Sequence, residues 1–223
     1  MSVRVLLTRA AGGNEKLARR LREEPAIEPV ECPLIRIEPL EGPPLDASAY
    51  DWVVLTSRIG AELFFRRVSG EPPRVAVIGP GTAAAVRAHG VEPVLVARRS
   101  TQEGLLEELP RPAGRVLFAG AEDARPLLAE TLGADVAPLY RTAPEAPAEL
   151  PEADLVVLAS ASAAGSLGAL GVEALPCVSI GPVTSRAARR VGLCVVAEAA
   201  TQDVDGLLEA VKLAASRVQS SRS

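Results

Sequence analysis

The chain has 223 residues, 24 Lys and Arg against 28 Asp and Glu, a net charge of −4 and a hydrophobic fraction of 48%. One His, three Cys without a CxxC pair, one Trp, two Tyr and three Phe exclude a multi-histidine metal centre, a structural zinc or thioredoxin-like site, and a basic nucleic-acid face with stacking platforms. The length admits one large domain or two small ones, and the Cys usage is that of a reducing compartment rather than a disulfide scaffold.

The first apolar run, residues 3–7, is too short for the core of a signal peptide and predicts a strand. Further aliphatic runs follow at 52–55, 75–78, 94–96, 116–118, 155–158, 177–180 and 194–196. Most are continuously apolar rather than alternating, the pattern of parallel strands covered on both faces. Helical patterns lie between them at 14–24, 59–68, 82–89, 102–109, 124–132, 162–170, 184–191 and 204–216. This alternation predicts an α/β fold on parallel sheet. Gly90 and Gly192 stand where helix C-caps are expected, Ser100 with Glu103 has the form of a capping box, and Thr82 and Thr184 read as N-caps. Residues 217–223 read as a frayed tail. The longest uncharged stretch, between Asp154 and Glu173, holds too many Ser and Gly for a membrane span. A cytoplasmic protein without a membrane segment is expected. Two Lys against 22 Arg, one Asn and 19 Pro fit a heat-stable protein and a GC-rich genome equally.

Five blocks recur in one order. Arg4-Val-Leu-Leu resembles Arg115-Val-Leu-Phe, and Pro33-Leu-Ile-Arg-Ile-Glu-Pro39 resembles Pro138-Leu-Tyr-Arg-Thr-Ala-Pro144. Asp51-Trp-Val-Val-Leu-Thr-Ser57 resembles Asp154-Leu-Val-Val-Leu-Ala-Ser160, Ile78-Gly-Pro-Gly-Thr-Ala83 resembles Ile180-Gly-Pro-Val-Thr-Ser185, and Thr101-Gln-Glu resembles Thr201-Gln-Asp. The proline-bracketed blocks at 34–39 and 138–144 read as extended connectors. Two organisations follow. Either residues 1–33 plus 145–223 form one discontinuous lobe and 40–137 the other, with the connectors paired as a two-stranded ladder, or two tandem domains meet near residue 113. Periodicity leaves both open.

Ligands of open parallel sheets bind beyond the carboxyl ends of the strands. The loops there are Thr8-Arg9, Thr56-Ser57-Arg58, Gly79-Pro-Gly-Thr82, Ala119-Gly120, Ser160-Ala-Ser162 and Gly181-Pro-Val-Thr184. They are rich in small residues and hydroxyls, and backbone N–H groups at such helix starts suit anions. Gly79-Pro-Gly-Thr-Ala-Ala also has the outline of a dinucleotide fingerprint, but its copy at Gly181 carries Val183 in place of the second Gly. His89 precedes Gly90 at a helix end, where it complements the dipole. The Cys lie in or beside strands and read as buried small hydrophobes. Tyr140 differs from Tyr50 in lying within the second connector.

In their order, several motifs resemble the uroporphyrinogen-III synthase family over nearly the whole chain. They are Val5-Leu-Leu-Thr-Arg9, Asp51 to Ser57, Ala76-Val-Ile-Gly79 with Thr82, Thr101 with Gly104-Leu-Leu, Arg125, Leu139 to Pro144, Ser160 and Ser179-Ile-Gly-Pro-Val-Thr184. The resemblance implies two flavodoxin-like lobes joined by a two-stranded ladder, with the active site between them. It implies closure of hydroxymethylbilane, a linear polycarboxylate tetrapyrrole, to uroporphyrinogen III with inversion of the last ring and loss of water, without cofactor or metal. Tyr140 matches the tyrosine suspected of protonating the leaving hydroxyl. Thr8, Arg9, Ser57, Arg58, Gly79, Thr82, Arg125, Ser160, Gly181 and Thr184 are expected to bind substrate. Glu122 and Asp123 beside Arg125 depart from what a polyanion site needs. A monomer is expected, in transient contact with hydroxymethylbilane synthase. A non-catalytic tetrapyrrole binder of the same fold and a nucleotide-dependent α/β enzyme are the alternatives.

Overall fold

The computed structural model describes residues 2–172 and 175–220. In chain order it begins with β1 (Val3–Leu7), α1 (Glu15–Arg22), β2 (Ile27–Glu31), β3 (Ile35–Pro39) and β4 (Leu45–Asp46). There follow β5 (Trp52–Leu55), α2 (Arg58–Arg67), β6 (Val68–Ser69), β7 (Val75–Val77), α3 (Pro80–Ala88), β8 (Leu95–Val96) and α4 (Gln102–Glu108). Next come β9 (Val116–Ala121), α5 (Leu127–Leu132), β10 (Asp135–Pro144), β11 (Leu155–Leu158) and α6 (Ala161–Ala169). The last elements are β12 (Cys177–Ser179), α7 (Pro182–Arg190), β13 (Val195–Glu198) and α8 (Val204–Ser220). None of these helices is long and apolar enough to cross a membrane.

The chain divides into two compact units. The first takes the chain up to Ile37 and again from Ala143 onward, and the second is Glu38–Thr142. The first unit holds a five-stranded parallel sheet in the order β13-β12-β11-β1-β2. Its strand order reverses between β1 and β11, as in flavodoxin-like folds. Period-two alternation sends Val3, Val5 and Leu7 to one face, where Leu17 and Leu21 of α1 and Leu207 and Val211 of α8 cover them. Leu6, Val156 and Leu158 meet Ala163 and Leu167 of α6 and Ala188 of α7 on the other. Each fully buried Leu or Val contributes about 1.5–3 kcal/mol of transfer free energy, which is why the central strand β11 reads as an unbroken apolar run.

The second unit is built on β10-β9-β5-β7-β8, again parallel, with β3 beyond β10. Its order reverses between β5 and β9. Trp52, Val54, Phe118 and Val116 pack with Leu105 and Leu106 of α4 and Leu128 of α5. The two connector segments thus pair as β3 and β10, and Leu40 N–H to Leu139 O (2.8 Å) and Glu145 N–H to Leu34 O (2.9 Å) bracket them.

Several expectations need correction. β2 lies outside the predicted runs and contains Pro29. It is an edge strand, where a missing N–H on the open side costs nothing. Thr82 and Thr184 are not N-caps. Gly79 and Gly181 hold that position, with Pro80 and Pro182 opening the helices, and both threonines are buried in the first turn. The α4 cap is Thr101, accepting from Gly104 N–H at 3.0 Å, not Ser100. Asp203 does the same before α8, accepting from Gly206 N–H at 2.8 Å. Thr101 therefore corresponds to Asp203, so the last repeat block was out of register by two residues. Cys32 and Cys177 are buried, but Cys194 is exposed because it precedes edge strand β13 on the side opposite buried Leu193. The tail is helical through Ser220, and residues 221–223 lie outside the described residues. His89 caps α3 and stacks on Phe65 at 4.7 Å.

The repeat is now structural. The β1–α1–β2 segment corresponds to β9–α5–β10, and the run from β5 to α4 corresponds to the run from β11 to α8. Asp51 accepts from Arg115 N–H at 2.8 Å in one unit, and Asp154 accepts from Arg4 N–H at 2.9 Å in the other. Each unit takes its short segment from one repeat and its long segment from the other.

Candidate functional site

A crevice forms where strand order reverses, because the loops leaving the two central strands run to opposite faces of the sheet. In the second unit the reversal lies between β5 and β9. Ser57 leaves β5 and caps α2, accepting from Gly60 N–H at 2.9 Å. Gly60 is required by space: a Cβ there would stand 2.9 Å from Ser57 Oγ. Tyr140 lies on β10 opposite Ala121, the last residue of β9, just after a register shift between Pro138 and Tyr140. Such a bulge re-aims the side chain that follows it. The phenol oxygen stands 2.9 Å from Ser57 Oγ. Tyr140 is 7% exposed. Burial pushes its pKa up, the hydrogen bond with Ser57 works against this, and the charge of Asp123 adds to the rise.

The remaining candidates of this unit fall into two groups. Arg58 is the first residue of α2, exposed, with Nη1 3.3 Å from Glu62 Oε1 one turn on. Gly79 and Thr82 open α3, which packs beside α2. The chain closes tightly over Gly79, where a Cβ would stand 2.5 Å from Ser100 Oγ. Arg125 is engaged elsewhere. Its guanidinium makes a bidentate pair with Glu103 (2.7 and 3.1 Å), and Gln102 Nε2 donates to its carbonyl at 3.3 Å. The Arg125 hydrogen bonds pull Glu103 down to about 2. Glu122 and Asp123 are exposed.

In the first unit the reversal lies between β1 and β11. Thr8 follows β1, but its hydroxyl is buried and donates to Val157 O at 2.7 Å, so it ties the two central strands rather than facing a ligand. Arg9 comes next and is half-buried. Ser160 follows β11 and caps α6, accepting from Ala163 N–H at 3.1 Å, as Ser57 does in the other unit. Gly181 and Thr184 open α7, which packs against α6. A Cβ on Gly181 would meet Gln202 Cγ at 3.0 Å.

Asn14 was missed as a site residue. It is 2% exposed and stands before α1 without capping it. Its amide donates instead to Leu7 O and Arg9 O (3.4 and 3.3 Å), holding the Thr8-Arg9 loop. The available signal was that it is the one Asn in the chain. Among the described residues no group of three or more His, Cys, Asp and Glu is placed to hold a metal ion.

Both units thus present a serine-capped helix start and a Gly-Pro helix start on the carboxyl edge of the sheet, and the second unit adds a buried phenol. Comparison with known proteins is consistent with this layout. A uroporphyrinogen-III synthase of Synechococcus elongatus is 27% identical over 248 residues, covering 93% of this chain and 94% of its own. A mutant uroporphyrinogen III synthase of the extremely thermophilic bacterium Thermus thermophilus shares the fold at a TM-score of 0.63 and 19% identity, over 97% of this chain and 100% of its own. A uroporphyrinogen-III synthetase of Helicobacter pylori does so at 0.63 and 17%, over 96% and 99%. The family model described as uroporphyrinogen-III synthase HemD matches residues 15–209, most of the chain, and the chain belongs to that family.

Proposed function

We propose that the chain closes hydroxymethylbilane to uroporphyrinogen III, inverting the last pyrrole ring and releasing water, as a step of tetrapyrrole biosynthesis. The family match over residues 15–209 supports the activity. The observation that carries the assignment of roles is the buried Tyr140 hydroxyl 2.9 Å from Ser57 Oγ.

Pyrroles are electron-rich, so the substrate supplies most of the reactivity. The terminal hydroxyl leaves as water once protonated, and the pyrrole nitrogen lone pair completes an azafulvenium cation. The substituted carbon of the last ring attacks it, and the spiro intermediate fragments and recloses inverted. One proton enters at the departing hydroxyl and one leaves when the pyrrole regains aromaticity. Tyr140 gives the first and recovers the second. The phenol is protonated at neutral pH, and burial pushes its pKa further up. Ser57, anchored by Gly60 N–H, fixes the phenol oxygen. Each unit offers carboxylates backbone N–H groups at two helix starts, α2 and α3 in the second and α6 and α7 in the first, with Arg58 at the start of α2 and Arg9 after β1. This answers the net charge of −4, because local N–H geometry replaces bulk positive charge. The remaining work is orientation of a folded linear substrate. We further propose a cytoplasmic monomer that receives its unstable substrate from hydroxymethylbilane synthase.

The test supplies hydroxymethylbilane from its synthase and separates the oxidised porphyrins by isomer. Isomer III in excess is expected. Isomer I alone, the spontaneous product, overturns the proposal.

A further inference from the structure

The first unit carries two buried serines linked to an exposed glutamate where its internal counterpart is apolar. Ser179 ends β12, Ser185 lies in the first turns of α7, and Glu198 ends β13 opposite Ser179. Ser179 and Ser185 are 0% and 1% exposed. Their hydroxyl oxygens are 2.6 Å apart, and the Ser185 hydroxyl donates to Glu198 Oε2. A serine has one proton to give. That of Ser185 goes to the carboxylate, so Ser179 is the donor in the first bond. The chain runs one way and ends on an ion.

The repeat supplies the control. The equivalent residues of the second unit are Val77, Ala83 and Val96, with Val77 paired to Val96 as Ser179 is to Glu198. Val77 and Ala83 are fully buried. The same topology therefore closes with three apolar residues. Burying two hydroxyls costs desolvation that this fold does not demand. The extra bonds serve α7. Ser185 N–H donates to Gly181 O at 3.0 Å, so a Ser185 side chain tethered to the end of β13 holds the turn that contains Gly181, Val183 and Thr184. Gln202, four residues beyond Glu198, packs against the same turn at Gly181.

We propose that Ser179, Ser185 and Glu198 are positioning residues that hold the 181–184 turn so that its backbone N–H groups meet a substrate carboxylate. This rests on the synthase reading of the site. The two Gly-Pro turns are then unequal: each has a side chain packed on its glycine, Gln202 in one and Ser100 in the other, but only the one in the first unit is tied to its edge strand through hydrogen-bonded side chains.

The experiment uses the full-length protein in the isomer assay. A triple variant, Ser179→Val with Ser185→Ala and Glu198→Val, transplants the apolar set of the second unit. It is expected to melt no lower than wild type and to show KM raised about tenfold, the order for a lost charge-assisted hydrogen bond, with a larger share of isomer I. Glu198→Gln, whose amide oxygen still accepts from Ser185, is expected to recover most of KM. A triple variant with wild-type KM and isomer share overturns the proposal. So does one that does not fold, since the apolar set is then no neutral replacement, and so does a Glu198→Gln variant as impaired as the triple. Wild type yielding only isomer I overturns the synthase reading instead, and is scored separately.

Discussion

A proton donor must hold its proton until the substrate arrives, which a phenol with an ordinary pKa near 10 does at neutral pH, and burial of Tyr140 pushes its pKa further up. Replacing it with Phe keeps the ring and removes the donor. Isomer III formation is expected to fall by about 10²–10⁴, the usual range for a lost general acid, while stability falls only about 1 kcal/mol for the bond to Ser57. Unchanged isomer III turnover would remove Tyr140 from the mechanism. Its raised pKa also sets a sign. The stability that the neutral phenol contributes is complete below the unfolded value near 10, and it is lost as pH rises through the higher folded value. Glu103 behaves oppositely. Its folded pKa is about 2 against 4.5, so its contribution is present above pH 4.5 and is lost as pH falls toward 2, and a carboxyl titration followed by NMR should place its midpoint there. With Glu103 and Arg125 both near half exposed, screening limits the pair to about 1 kcal/mol at most. Tyr140 and Ser57 were each legible as single residues, one by its place in a connector and the other as a helix start. Their partnership spans 83 residues of sequence and depends on a bulge that no local pattern announces. Arg125 illustrates the converse: its sequence neighbourhood raised the question of two nearby acids, whereas its actual partner lies on α4, 22 residues away.

At the scale of elements, the strands were readable because central parallel strands must be apolar on both faces, and β1, β5 and β11 coincide with their predicted runs. Helix starts were less so, because a Gly-Pro start and a threonine three residues later compete for the same role, and only backbone geometry separates cap from first turn. The α2 start gives a sharp test. Gly60→Ala places a Cβ 2.9 Å from Ser57 Oγ and must move the hydroxyl that both caps the helix and meets Tyr140. It is expected to lower turnover markedly while costing about 1 kcal/mol of stability, the usual loss of one cap, as read by kinetics and thermal melting on one sample. The twin aspartates give another. Asp51→Ala and Asp154→Ala each leave a strand-start N–H without its acceptor, and denaturant unfolding is expected to show about 1–3 kcal/mol lost. The larger loss should be at Asp154, whose bond is part-buried whereas that of Asp51 is exposed.

At the scale of the whole molecule, repeat and compact unit are out of phase. The five recurring blocks reveal a duplication, yet a cut near residue 113 would separate two repeats without separating two units. This is why periodicity alone left the domain organisation open. The decision was made by pairing: β1 lies between β2 and β11, and β9 between β10 and β5.

That arrangement has a consequence for a chain made from its N-terminus. The second unit, Glu38–Thr142, is contiguous and can close as soon as it has emerged. β1 must wait for β11, and through that interval one side of a strand designed for two neighbours stands open. The first long-segment strand to appear is β5, whose Asp51 offers a strand-start N–H the same acceptor that Asp154 will later offer Arg4. During synthesis β1 therefore stays without its second neighbour until the whole of the second unit has been made.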